Sequence, residues 1–495
     1  MSSSVQSVSA GRQSGPASHT GLAMLVVMTG VLITAVDTTI VVLALPTIER
    51  ELHVSLSSVV WVVIGYLLVI TLLATQVGRL GDMFGRVRMY EAGFAVFVLG
   101  SLLCALAWSE AAIIGFRVLQ GIGGAFVTAN SGAVIAELYP PEKRGKAFGW
   151  NSVGWSIGAV LGIILGGLIV TYLSWRWIFW INVPIGVAAL ALALRVLKHR
   201  SDRTSRHLDY AGMITLGLGL FGVLWAMTKL ATDELSGEVV GYLIGGVVLL
   251  AVFVVVELRQ AEPMLDLSLF KVPMMAPSLL AALFQGLGNF ATLFLVIMYL
   301  QGARGLTPIH ASLLLIPGYV VGSAIGPYAG RLSDRVGPVI PATVGLAAQV
   351  VALLVYAQLT VTSGLWIIVL GSVINGAGAS AFFPANSAAV MKASPRSVLG
   401  ISSGMLRTFG NIGMVFSFST AILIASRSIS RGLAFAIFVG STSLHGTLAI
   451  AFTTGLHAAF YTSMGIMALA AVLSALRVGS SAGRGTGLRQ PERTS

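Results

Sequence analysis

Apolar runs of about twenty residues follow one another along almost the whole chain, and that succession leaves few folds open. Crossing the roughly 30 Å hydrocarbon core of a bilayer takes about 20 apolar residues in a helix. Fourteen such runs are predicted, at 22–45, 57–77, 89–107, 111–137, 147–172, 177–196, 208–229, 237–257, 275–300, 309–329, 339–359, 364–390, 400–425 and 448–476. Only 10% of the 495 residues are charged, against about 25% in soluble domains. A water-soluble globule cannot hide that much apolar surface, and lipid is the expected solvent. The 58 glycines lie inside the apolar runs, where they let helices approach closely. Leu433 to Gly440 (LAFAIFVG) is apolar but too short to span, and 427–447 reads as an interfacial or re-entrant hairpin.

Charge supplies the orientation. With both termini in the cytoplasm, 22 of the 30 lysines and arginines fall in cytoplasmic tails and loops and 6 fall outside. Arg117 and Arg407 are left within the membrane. That bias is the positive-inside rule, and it accounts for the net charge of +12. No long basic run carries interleaved aromatics, so no nucleic-acid partner is expected. A single cysteine, Cys104, excludes intrachain disulfides and cysteine-based zinc frameworks. The histidines show no metal-ligand spacing, and no phosphate-binding loop of the ATPase type is present. GLGLFG (Gly217 to Gly222) matches a dinucleotide pattern, but it lies inside an apolar run with no preceding strand. No cofactor, no metal and no enzymatic activity are expected. The first run is too long for a signal peptide and contains Asp37. With no Asn-x-Ser/Thr acceptor in the chain, a bacterial plasma membrane is the expected location.

A repeat organises the runs. Gly78 to Arg88 reads GRLGDMFGRVR and Gly330 to Pro338 reads GRLSDRVGP, the same Gly-Arg-Leu-x-Asp-x-x-Gly frame 252 residues apart. The copies follow spans 2 and 10, eight spans apart. Two six-helix bundles with two helices inserted between them explain that offset. The expected fold is therefore all-α, with a cytoplasmic tail (1–20), a first bundle (21–200), an inserted pair (201–262), a second bundle (263–477) and a cytoplasmic C-tail (478–495). Duplicated bundles of this kind rock about a central site. Charged turns at their ends, with Gly78, Asp82, Gly85, Arg86 and Arg88 in one and Asp334 in the other, suit a conformational gate.

Asp37 is the one acid well inside a predicted span. A carboxylate there costs about 2.5–3.5 kcal/mol on insertion scales, so it is expected to be paired, protonated or functional. Arg117 is its natural partner. It opens a stripe of Arg117, Gly121, Gly124, Thr128 and Ser131 on span 4, one helical face that suits a water-lined cavity. Thr38, Gln120 and Thr128 from the first half join Gln285, Asn289, Asn375, Phe382, Asn386, Arg407 and Asn411 from the second as candidates to line a substrate cavity. No acid lies deep in the second half, so a dication would find few counter-charges there. Monocationic, neutral and anionic amphiphiles all remain open.

Four elements resemble the major facilitator superfamily, and within it the drug:proton antiporters with fourteen transmembrane segments. Leu32 to Pro46 (LITAVDTTIVVLALP) is similar to the helix-1 signature, and GRLGDMFGRVR to the loop motif, with Met83 where an arginine is usual. Arg117 to Ala125 (RVLQGIGGA) is similar to the helix-4 motif. Gly149, Gly158, Gly162, Gly166 and Gly167 align with the antiporter motif, with Ile163 where the family carries proline. The following Ser174 to Gly186 (SWRWIFWINVPIG) also resembles the fourteen-helix branch. The resemblance implies multidrug efflux coupled to inward proton flow, in which the Arg117 position is implicated. The partners would be a small amphiphilic substrate, protons and lipid, and the chain would act as a monomer. An importer or facilitator on the same scaffold is the alternative, and a non-transporting receptor a remote one.

Overall fold

The computed structural model describes residues 17–53, 56–140, 144–197, 208–232, 236–394, 399–425 and 446–477, with Leu433 and Leu444. The basic linker 198–207, the segment 434–443, most of the N-tail and the whole C-tail lie outside the described residues, as does the Asp82 side chain. Among the described residues the regular structure is helical, because in lipid every backbone polar group must be satisfied within its own segment.

The first half contains α1 (Ala17–Leu52), α2 (Leu56–Val59), α3 (Trp61–Phe84), α4 (Arg86–Ala105), α5 (Glu110–Leu138), α6 (Arg144–Tyr172), α7 (Trp177–Trp180) and α8 (Asn182–Val196). Next come α9 (Tyr210–Thr232) and α10 (Gly237–Arg259). The second half contains α11 (Met275–Met298), α12 (Pro308–Val336), α13 (Val339–Tyr356), α14 (Trp366–Ala393), α15 (Leu399–Ala425) and α16 (Thr447–Ala475). Residues 17–20, placed in the N-tail by the sequence, are helical in α1 (Ala17–Leu52). Polarity marks where lipid ends, whereas a helix can run on into water.

Among the described residues, twelve helices are long and apolar enough to cross a membrane, against the fourteen expected. The two expected spans outside that set are α3 and α15, each of which contains positions outside the described residues. Among the described residues the apolar part of α3 is Trp61–Ala74, and α15 carries Arg407, Thr408 and Asn411.

The duplication is visible in the packing. In the first half α1 lies along α6, α4 along α5 and α3 on α5; in the second, α11 lies along α15, α13 along α14 and α12 on α14. The halves meet at two seams, α6 against α12 and α3 against α15. Thr408 on α15 donates to the Thr71 carbonyl on α3 at 3.3 Å. The inserted helices pack on each other through Gly219, Gly222 and Gly246. The nucleotide-like glycine pattern is thus a helix seam. From there α9 leans on α3 and α15 at the edge of the interface.

Each copy of the repeated motif ends in a glycine that the turn requires. Gly85 (φ 100°) separates α3 from α4, and Gly337 (φ 87°) ends α12. Side-chain-bearing residues reach this region only with about 1–3 kcal/mol of strain. Gly337→Ala, with no other atom near the added Cβ, is expected to lose about that much. Thermal unfolding of the detergent-solubilised protein would measure it, and an unchanged midpoint would contradict it.

Candidate functional site

The charges predicted to pair do so. Arg117 Nη1 on α5 donates to Asp37 Oδ2 on α1 at 2.6 Å, and neither side chain is exposed at all. Arg117 Nε is held by the Val62 carbonyl at 2.8 Å, and Nη1 also reaches Gln120 Oε1 at 2.7 Å. The other carboxylate oxygen, Oδ1, accepts from Gln120 Nε2 at 2.8 Å and Asn182 Nδ2 at 3.2 Å. Ser101 accepts from both amides and donates to the Phe179 carbonyl, which ties α4, α5, α7 and α8 around the acid. The guanidinium lies 4.1 Å from the Tyr66 ring centroid, so an aromatic face covers the cation. Arg117 Nη2 is buried with no hydrogen-bond partner among the described residues.

Breaking a buried pair by removing one charge costs about 3–5 kcal/mol, because the other charge is stranded.

A central cavity lies between the halves. The second half contributes most of its wall, including Gln285, Asn289, Asn375, Phe382, Asn386, Arg407 and Asn411. The first-half expectations are corrected. Gln120 belongs to the Asp37 cluster, and Thr128 bonds to its own helix at the Gly124 carbonyl. Thr38 instead lines a smaller apolar pocket beside the cavity with Val42, Leu43 and Ile163. The first-half wall is made by Val31 and Thr39 of α1 and by Asn151, Trp155, Ser156 and Ala159 of α6. Asn151 and Trp155, four apart on one face, were the sequence signal for this wall. No Asp or Glu lines the cavity among the described residues.

The small residues of α5 are a packing face, where a water-lined one was expected. A Cβ at Gly121 would stand 2.9 Å from the Tyr66 carbonyl, and one at Gly124 would stand 2.9 Å from the Tyr66 hydroxyl. The α6 glycines divide into two sets. Gly158, Gly162 and Gly166 press on α1, where added Cβ atoms would meet Leu32, Val36 and Ile40. Gly149 and Gly167 instead face α12, at Gly326–Pro327 and Ile309. α6 therefore holds α1 with one face and the opposite half with another.

In the turn motifs, Gly78 is buried in α3 and Arg88 is exposed. Arg86 pairs with Glu137 at 3.2 Å in a part-exposed bridge, a class worth about 0–1 kcal/mol and easily exchanged. Asp334 is exposed in the last turn of α12. Arg79, in the same turn, donates to the Glu262 carbonyl at 2.9 Å and to that of Pro263. It ties the motif to the chain that leaves α10. No composition or spacing signal marks that contact.

A polar cavity between two like-folded bundles, in a multi-pass membrane protein, is the architecture of a transporter. The chain belongs to the Major Facilitator Superfamily, whose sequence profile matches residues 27–418. It is 33% identical over 410 residues to the tetracenomycin C resistance and export protein of Streptomyces glaucescens, covering 81% of this chain and 74% of that one. It is 31% identical over 394 residues to the drug efflux pump JefA of Mycobacterium tuberculosis, covering 78% and 77%. The solved proton:xylose symporter XylE superposes with a TM-score of 0.64 at 13% identity, over 94% of this chain and 99% of that one. That last likeness is one of fold.

Proposed function

We propose that the protein is a proton-coupled exporter of amphiphilic compounds, working by alternating access in a bacterial plasma membrane with both termini cytoplasmic. α3 and α15 complete fourteen spans in this reading. They pack on each other across the interface, as the spans of two bundles would. The relatives named for resistance, export and drug efflux support the direction of transport.

The sealed Asp37–Arg117 pair carries the reading. Asp37 has no exposed surface, so it can exchange protons only in another arrangement of the halves. Once protonated it no longer neutralises Arg117, and α1 is released from the α5 cluster. α1 also supplies Val31 and Thr39 to the cavity wall, so the same movement reshapes the substrate site. One proton crossing 100 mV supplies about 2.3 kcal/mol, and one pH unit adds about 1.4 kcal/mol. Together these match the cost of separating a buried pair. The Arg86–Glu137 bridge and the Arg79 contacts form part of the cytoplasmic gate.

One observation favours a second reading, a facilitator or importer on the same scaffold. Ile163 lies buried within an unbroken α6, where the antiporter motif has a proline to kink it. Substrate flux in everted vesicles under imposed pH gradients separates the two. The exporter accumulates substrate when the lumen is acidic and reverses when the gradient does. Flux indifferent to the gradient would leave the facilitator.

A further inference from the structure

The geometry points to the second-half wall of the cavity as a binding site for aromatic amphiphiles carrying one negative charge, with the acid group seated at Arg407. This rests on the transport reading above and names the class of its substrate. Arg407 is on the cavity wall, its guanidinium 5.0 Å from the Phe383 ring centroid. Among the described residues no carboxylate lies within salt-bridge distance of it. α15 is held against α11 by glycine contacts, since a Cβ at Gly286 would strike the Gly410 backbone and one at Gly413 the Leu283 backbone. The cation is thereby fixed in place facing the cavity.

The surroundings reinforce its sign. Behind the wall, the buried Arg477 donates to Asn386 Oδ1 at 2.7 Å, and Asn386 itself lines the cavity. Asp37 is absent from the lining and is already neutralised by Arg117. The cavity therefore faces one guanidinium directly, with no acid on its described wall. A lipophilic cation would meet repulsion without a counter-charge. An anion would take the place of water at Arg407 in a charge-assisted contact. Trp155, Phe290, Tyr319 and Phe383 supply flat apolar faces for a ring system, and Asn411 lies one turn along α15 from the charge.

Two probes with one skeleton isolate the charge: anilinonaphthalene sulfonate and its uncharged twin, phenylnaphthylamine. Calorimetric titration of the full-length protein in lipid nanodiscs, with empty nanodiscs subtracted, gives both affinities without any pH gradient. The wild type is expected to hold the sulfonate at least about tenfold more tightly than the twin. Arg407→Gln should abolish that difference, and Arg407→Lys, which keeps the charge, should retain most of it. An unchanged ratio in a well-folded Arg407→Gln, or tighter binding of tetraphenylphosphonium than of the sulfonate, would overturn the assignment. Because this is equilibrium binding, its failure leaves proton coupling intact, and a failure of pH-driven flux leaves the anion preference intact.

Discussion

Asp37→Asn is expected to cut pH-driven efflux from everted vesicles by at least about tenfold while the protein still inserts and still binds substrate. The amide keeps the size of the carboxylate and its oxygen can still accept from Arg117, while its NH2 replaces the oxygen that accepted from Gln120 and Asn182. It cannot take up a proton. Arg117, fully buried, is left permanently without its counter-charge, which is the state a proton would produce only transiently. The molecule would settle in one arrangement, and the roughly 3.7 kcal/mol offered by 100 mV and one pH unit could no longer act on it. Substrate binding should survive because the cavity wall holds Val31 and Thr39 from α1, not Asp37 itself. Undiminished pH-driven efflux by the variant would remove Asp37 from the mechanism.

The second large effect is expected at the seam between α1 and α6. Gly162→Val should destabilise the protein by about 3 kcal/mol and abolish transport. A Cβ there would lie against the Thr39 hydroxyl and 2.7 Å from the Val36 carbonyl. A backbone oxygen cannot swing away as a flexible side chain can, so the helices must part. Parting them moves Thr39, which lines the cavity, and strains the helix that bears Asp37. Gly465→Ala is the control, since nothing lies within 4 Å of an added Cβ and helix propensity alone would favour alanine by about 0.5–1 kcal/mol. Fluorescence-detected size exclusion after graded heating would compare the two. A Gly162→Val protein as stable as the control would mean that α1 and α6 are not in the close contact described.

The ion pair was legible in the sequence because a lone charge in an apolar run must find a partner, and Asp37 and Arg117 were charges with no other visible use. Asn182 and Ser101 were not, since single polar residues in apolar helices are common and nothing in their spacing aims them at Asp37. The repeated turn announced the duplication, and its final glycine gave the turn geometry in both halves. The α6 glycines stand together in the motif, although their spacing already divides them. Gly158, Gly162 and Gly166 repeat every four residues, whereas Gly149 stands nine before Gly158, roughly two and a half turns away. Which helix each face meets is a tertiary fact that periodicity cannot supply. The same holds for Gln120, whose polarity was plain but whose partner, across the bundle on α1, was not.

The complete enclosure of Asp37 has a consequence for the cell that houses the protein. An acid that touches neither bath cannot pass hydrogen ions along while the transporter stands idle. Under the proposed mechanism, many copies can therefore sit in an energised membrane without short-circuiting it, and the proton gradient is drawn on only when the molecule completes a turnover.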